Sequence, residues 1–260
     1  MRSNPAAFGT GVAIGTLGGL IGLGGAEFRL PLLISLFKFR GLEAVILNKA
    51  TSLVVVATAL PFRARTVPFD EIGAHWPIIV NLLAGSLVGA YAGAAWATRL
   101  KSETLYKIIA ALLVVIAGVL LLAHDTEAGG VPPLTGVYLV VAGVVAGFVI
   151  GVVASLLGVA GGEFLIPTLI LMFAADVKLA GSLSLAVSLP TILVGFARYS
   201  RDQSFAVLHA NWPFMLAMAA GSVIGTFAGG LLLGIVPNAI LLPGLAAILV
   251  ISAVKVWRHE

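Results

Sequence analysis

The sequence has 260 residues, of which 60% are hydrophobic and only 10% are charged, and its formal net charge at pH 7 is +4. A soluble domain carries about 25% charged residues, so this composition excludes a soluble enzyme and predicts an all-α integral membrane protein. The chain has no cysteine, which excludes disulfides and thiolate metal sites. The small positive charge matches the Lys and Arg of cytoplasmic loops and does not indicate nucleic-acid binding.

Hydropathy predicts five helical segments in the first half of the chain. A helix that crosses a bilayer needs about 20 apolar residues. The second segment has only about 12 residues and reaches ~18 Å, so it is expected to cross part of the bilayer. The five segments lie near residues 6–22, 27–38, 42–62, 75–98 and 104–123.

A polar stretch rich in Pro and Gly, residues 125–134, is predicted to be an extracytoplasmic linker between two transmembrane repeats. The first repeat covers residues 1–124 and the second covers residues 135–260. Five segments are again predicted in the second repeat, and its second segment is again short. They lie near residues 136–158, 163–174, 178–198, 210–233 and 237–257.

The two halves are related by an internal repeat with a constant offset of 136 residues (158 − 22). GLGGAEFRLPLLI, which begins at Gly22, matches GVAGGEFLIPTLI, which begins at Gly158. Because five segments per half is an odd number, the sequence predicts that the halves cross the membrane in opposite directions, as an inverted repeat. The excess of Lys and Arg in alternate loops predicts a multi-pass protein of the cytoplasmic (inner) membrane with both termini in the cytoplasm.

A Gly-rich break precedes each short segment, which predicts broken or re-entrant helices. Irregular backbone at membrane depth is tolerated only where protein buries it or where it lines a cavity. The free N–H groups at the start of the short helix that follows attract anions. The alternative is that the glycines serve close helix packing, as expected for Gly85, Gly89 and Gly93. The glycines assigned to the predicted binding site are Gly24, Gly25, Gly161 and Gly162.

Four ionisable residues fall within the predicted bilayer, where a charge costs about 2.5–3.5 kcal/mol. They are Glu27, Arg29, Lys49 and Glu163. At the equivalent positions of the second repeat, Arg29 and Lys49 are replaced by Leu165 and Leu185. Because the cations occur in one half only, we interpret them as counter-charges for an anionic substrate. Two alternatives stay open: Arg29 neutralises one of the glutamates, or Lys49 extends to the membrane interface. The glutamates either orient the broken helices or carry a coupling proton.

Small polar side chains cluster on the helix that follows each short segment, near Asn48 and Ser182. They can coordinate the oxygens of an anion, or they can bond to carbonyls of their own helix, and the sequence leaves both open. No catalytic, metal or cofactor site is predicted. The hydroxyls assigned to the substrate site are Thr51, Ser52, Ser184 and Ser188.

These residues resemble the sulfite exporter TauE/SafE family of membrane transporters. The hallmark of that family is a Gly-rich segment, GxxxGxxGxGGGxxxxPxL, in both halves. Here it corresponds to residues 15–33 and 151–169, with Ala26 and Ala160 at two of the glycine positions. The Thr-Ser-Leu stretch at residues 51–53 is also similar to the family.

The resemblance implies a secondary transporter that moves small sulfur-containing anions, such as sulfite, sulfoacetate or other organosulfonates, across the cytoplasmic membrane. No segment resembles an ATP-binding motif, so an ion gradient is expected to drive transport and no enzymatic activity is expected. The alternative is a passive anion channel, which saturation and counter-flow would distinguish from a carrier. The expected partners are the anion and the lipid bilayer, while a coupling proton and a homo-oligomer are left open.

Overall fold

In the computed structural model, residues 3–20, 25–63, 67–122, 133–231 and 238–258 are described, and their regular secondary structure is helical. The first half contains two short helices, α2 and α4, among longer ones. Its helices are α1 (Asn4–Leu20), α2 (Ala26–Ser35), α3 (Gly41–Arg63), α4 (Phe69–Ala74), α5 (Trp76–Ala97) and α6 (Ser102–Leu122).

The second half repeats this order, with a 3-10 turn at Gln203–Phe205. The described ends of the ten predicted segments agree with the structure to within three residues. Helices α4 and α10 were not predicted, because one or two turns are too short to give a hydropathy signal. The helices are α7 (Gly136–Leu157), α8 (Gly162–Phe173), α9 (Val177–Tyr199), α10 (Ala206–Ala210), α11 (Trp212–Leu231) and α12 (Asn238–Trp257).

The packing of the helices follows the sequence repeat. Helices α2, α3, α5 and α6 each begin 136 residues before α8, α9, α11 and α12. Helix α1 packs on α11 as α7 packs on α5, and α3 packs on α11 as α9 packs on α5. Helix α2 likewise packs on α12, and α8 packs on α6. Each of these contacts between the halves therefore has a counterpart at the repeat-related helices. The opposite orientation of the two halves across the membrane stays a prediction.

Within the part of the chain that the structure describes, six helices are long and apolar enough to cross a membrane: α3, α5, α6, α7, α9 and α11. Large apolar side chains cover their outer faces: Tyr138 is 79% exposed and Phe227 is 59% exposed. Trp76 and Trp212, at the first positions of α5 and α11, are also exposed, as expected for side chains at a membrane interface. The structure is that of a multi-pass membrane protein whose apolar shell suits contact with lipid.

Glycines bring α1 against α11 and α5 against α7, and we call these two interfaces the glycine seams. A Cβ added at Gly15 would lie 2.9 Å from Ser222 Cα, and one added at Gly151 would lie 2.9 Å from Ser86 Cα. Neither position accepts a side chain unless the helices separate, which is the close packing typical of small residues in membrane helices. The predicted packing role is confirmed for Gly85, Gly89 and Gly93, which lie against the backbone of α7.

Candidate functional site

Helices α2 and α8 both begin after a glycine in the left-handed conformation. Gly25 has φ 73° and Gly161 has φ 87°, a region that glycine adopts without steric cost. Ala26 and Ala160, which replace consecutive glycines of the motif, do not have a positive φ, so an alanine is accommodated at each. In each copy of the Gly-rich motif, a left-handed glycine therefore forms the turn that starts the short helix.

The other two glycines of the predicted site are Gly24 and Gly162. Gly162 is the first residue of α8. Gly24 lies outside the described residues. The first helical hydrogen bonds run from Arg29 N to Gly25 O (3.2 Å) and from Leu165 N to Gly161 O (2.9 Å). Gly25 and Gly161 are therefore the N-caps of the two short helices.

Arg29, in α2, is fully buried and is held by neutral oxygen atoms. Its Nε donates to Asn48 Oδ1 (2.7 Å), its Nη2 donates to Ser52 Oγ (2.8 Å) and its Nη1 donates to Ser222 Oγ (3.1 Å). Within the described residues no carboxylate oxygen lies within 4 Å of the guanidinium. The charge is therefore solvated by the protein and not neutralised in a direct ion pair, in contrast to one of the alternatives left open by the sequence.

Asn48 joins the helices around Arg29, although it was not assigned to the predicted site. Its Nδ2 donates to Ala26 O (3.1 Å) and to Leu157 O (3.0 Å), while its Oδ1 accepts from Arg29. Both amide N–H donors are thereby used, and α2, α3 and α7 are held together. An amide in the middle of an apolar helix is the signal that could have identified it.

Glu27 and Glu163 lie in the first turns of α2 and α8 and are 0% and 3% exposed. No described side chain donates a hydrogen bond to their four carboxyl oxygens, and the backbone N–H groups of Glu27, Gly161 and Glu163 are close but do not form well-aligned hydrogen bonds with them. The two carboxyls interact electrostatically with each other, and both interact with Arg29. The structure thus brings one glutamate from each half into the same polar cluster as Arg29.

Lys49 is fully buried but lies apart from that cluster. Its Nζ is 3.4 Å from Ser155 Oγ and 3.5 Å from Ala154 O, both on α7, and no other charged group among the described residues acts on it. Gly195 of α9 leaves the room for this side chain, because a Cβ there would lie 2.6 Å from Lys49 Cε. The ammonium therefore points between α3, α7 and α9 and does not extend to the membrane interface.

The four predicted hydroxyls have different surroundings. Ser52 contacts Arg29, as described above. Thr51 Oγ1 donates to Leu47 O and Ser184 Oγ donates to Gly181 O, each at 2.9 Å within its own helix, which is the alternative that the sequence left open. Ser188 is buried in α9, and a role of these hydroxyls in binding an anion stays a prediction.

The cluster is closed in this conformation, since Glu27 and Arg29 have no accessible surface and Glu163 is only 3% exposed. Two cavities, of 410 Å³ and 350 Å³, lie elsewhere on the molecule, and no residue of the predicted site lines them. One lies between α6 and α12, and the other is beside Lys38 and Lys255. No group of three or more potential metal ligands occurs among the described residues.

The chain matches the family described as sulfite exporter TauE/SafE over residues 7–256. It is similar to the probable membrane transporter protein YunE of Bacillus subtilis (strain 168), with 24% identity over 238 residues that cover 83% of each chain. No solved structure gives a significant match. Because the family match spans nearly the whole chain, the protein belongs to the sulfite exporter TauE/SafE family of membrane transporters.

Proposed function

We propose that the protein is a secondary carrier that moves small sulfur-containing anions, such as sulfite, sulfoacetate or other organosulfonates, across the cytoplasmic membrane with its termini in the cytoplasm. The substrate class is supported by the family description, sulfite exporter. In this proposal an ion gradient supplies the driving force, and the anion binds where the starts of α2 and α8 meet the Arg29 cluster.

Arg29 is the observation that carries the proposal. A guanidinium has five N–H donors, and the contacts described above together with a longer one from Nη2 to Asn48 O (3.5 Å) engage four of them. The remaining N–H, on Nη1, can donate to a sulfonate or sulfite oxygen. Arg binds oxyanions through such charge-assisted hydrogen bonds, and the helix starts at Gly25 and Gly161 add their partial positive charge.

The closed cluster favours a carrier over a channel. An anion reaches Arg29 only after the helices around it move, and many secondary transporters expose a central site by rocking one repeat against the other. Each helix contact between the halves, such as α1 on α11, has a repeat-related counterpart, such as α7 on α5. This equivalent packing suits a movement of one repeat against the other. A passive channel needs a continuous path, for which the buried Arg29 and Lys49 offer no support.

The experiment is flux of sulfite and sulfoacetate in liposomes that contain the purified protein, with and without a pH gradient. Wild-type flux is expected to saturate and to show counter-flow. Arg29→Ala removes one charge-assisted hydrogen bond to the anion, so flux should fall about 10- to 100-fold. Arg40→Ala, at an exposed arginine near the start of α3, is the matched control and should transport normally.

Each outcome decides a different part of the proposal. Arg29→Lys and a thermal unfolding curve for every variant separate loss of binding from loss of folding. Flux that rises linearly with anion concentration and shows no counter-flow would identify a channel. If wild type moves neither sulfite nor sulfoacetate, the proposed substrate class is wrong.

A further inference from the structure

No described side chain donates a hydrogen bond to Glu27 or Glu163, although both carboxyls are buried in the first turns of equivalent helices. We infer that these two carboxyls are the proton site of the carrier. The pair shares one proton while the site is empty and takes up a second when an anion binds at Arg29. The second step rests on the proposed function, whereas the shared proton does not.

The shared proton follows from the surroundings of the carboxyl oxygens. A buried polar group without a partner is costly, and a buried charge without a partner is more so. Two adjacent carboxylates also repel, so one of them holds a proton. That proton supplies the side-chain donor that the four oxygens otherwise lack, since a carboxyl O–H of one glutamate donates to the carboxylate of the other.

The second proton follows from the charge of the cluster. Arg29 contributes +1 and a carboxyl pair with one proton contributes −1, so the empty cluster is neutral. A monovalent anion beside Arg29 would add a further negative charge in a buried site, which is unfavourable. Uptake of one proton from water by the remaining carboxylate restores neutrality, so one proton moves with each anion.

Other charges are poorly placed to replace Arg29 in this balance. Helices α1, α3 and α12 pack against α2, and helices α6, α7 and α9 pack against α8. Lys49 points away toward α7. The other charged side chains described on these helices are partly or fully exposed near helix ends: Glu43, Glu103, Lys107, Lys178, Arg198 and Lys255.

The origin of the two glutamates connects the proton to movement of the protein. Glu27 lies in the first turn of α2 in the first half and Glu163 lies in the first turn of α8 in the second, so a shift of one half against the other changes the distance between the carboxyls. When the site opens and the anion leaves, water solvates the pair and accepts the second proton, while the shared proton stays between the two carboxyls. Proton release and anion release therefore occur in the same open state.

The shared proton is tested without any substrate, by infrared spectroscopy of the purified full-length protein at pH 7 in H2O and in D2O. Wild type is expected to show the carbonyl stretch of a protonated carboxyl, and D2O should shift it. The double variant Glu27→Gln/Glu163→Gln should lose that band. Glu43→Gln, at a partly exposed glutamate in the first turn of α3, should keep it. A wild-type spectrum without the band would overturn the inference.

The second proton is tested with methanesulfonate, a sulfonate that does not itself titrate near neutral pH. Binding to wild type should take up about one proton per anion, as linkage requires when protonation and binding favour each other. Calorimetry in buffers with different ionisation enthalpies measures this number. The double variant Glu27→Gln/Glu163→Gln should bind the anion without proton uptake, whereas each single variant keeps one carboxylate opposite Arg29 and should still take up about one proton.

The two measurements separate this inference from the proposed function. Methanesulfonate that binds wild type without proton uptake would contradict the proton site and leave the anion carrier standing. A carboxyl band in wild type that the double variant loses, with no binding of methanesulfonate or sulfite, would support the shared proton and contradict the proposed substrate class. If the double variant does not fold, the shared proton is still tested by the D2O shift of the carboxyl band in wild type and in the two single variants.

Discussion

Helices α2 and α8 occupy equivalent places in the two halves, yet eight of the ten residues of α2 are buried, against three of the twelve in α8. Arg29 of α2 binds polar groups of α3 and α11. Its repeat-related residue, Leu165, packs in an apolar cluster with Leu169 and Leu183. The left-handed glycines before these helices and the glycine seams, which both halves share, therefore set the backbone, while among the described residues the buried cations lie in the first half.

The same comparison extends to the serines that face α2 and α9. Ser222 of α11 accepts a hydrogen bond from Arg29, whereas the repeat-related Ser86 of α5 lies 2.8 Å from Thr191 Oγ1. One position of the repeat thus serves a cation in one half and a neutral hydroxyl in the other. Substitutions at repeat-related positions can therefore separate what the shared frame needs from what the charged cluster needs.

The largest expected effect is on the shared frame. Gly15→Val and Gly151→Val place side-chain atoms where each seam has partner backbone, so each should destabilise the protein by about 3 kcal/mol or prevent folding. Because the seams are equivalent, the two losses should be similar. Thermal unfolding in detergent measures both.

Gly9→Val, also on α1, is the control for this comparison, because a Cβ at Gly9 meets no atom within 4 Å. It should change stability by well under 1 kcal/mol beyond the change in helix propensity. Clearly unequal losses for Gly15→Val and Gly151→Val would show that the two seams do not support the fold equally.

The next effect is specific to the first half. Arg29→Leu copies the residue of the second half into the first and leaves Asn48, Ser52 and Ser222 without their charged donor. We expect a loss of about 2 kcal/mol in stability and a fall of about 100-fold in sulfite flux, measured in liposomes. Leu165→Met, a change of similar volume on the apolar side, should leave both nearly unchanged. Normal flux by Arg29→Leu would show that the anion does not depend on this cation.

Much of the fold could be predicted because its signals are local. Apolar length and the Gly-rich breaks predict the long helices, and the repeat carries each assignment from one half to the other. Helix α4 escaped prediction because six residues carry no such signal. The family membership was also predicted, since the Gly-rich motif occurs in both halves.

The composition of the polar cluster was predicted only in part, because its contacts are not local. Arg29 and Ser222 are 193 residues apart, and no pattern in the sequence pairs them. Asn48 and Lys49 are neighbours, yet they lie about 100° apart around α3, so the amide faces Arg29 and the ammonium faces α7. Ser52, one turn after Asn48, shares its face, and helical spacing alone could have separated this pair from Lys49.

Lys49 provides a smaller and opposite effect. Lys49→Leu also copies the second half, but the ammonium has only long contacts to Ser155 and Ala154, so its replacement removes a poorly paired buried cation. We expect stability to rise by about 1.5 kcal/mol, with flux reduced less than in Arg29→Leu. Thermal unfolding and liposome flux of the two variants, compared side by side, test this. A lower melting temperature for Lys49→Leu would show that the ammonium is better stabilised than its contacts indicate.

The smallest effect compares the two serines. Ser86→Ala removes a bond between neutral hydroxyls and should cost about 0.6 kcal/mol, the average for such bonds in membrane proteins. Ser222→Ala removes an acceptor from Arg29 and should cost about 1 kcal/mol, because hydrogen bonds to charged groups are stronger. The second substitution also frees another N–H of Nη1, so the affinity for sulfite should change in Ser222→Ala and not in Ser86→Ala. Equal affinities in both variants, measured from the concentration dependence of flux, would mean that the anion does not use Nη1, and the binding position would then have to lie on the helix starts alone.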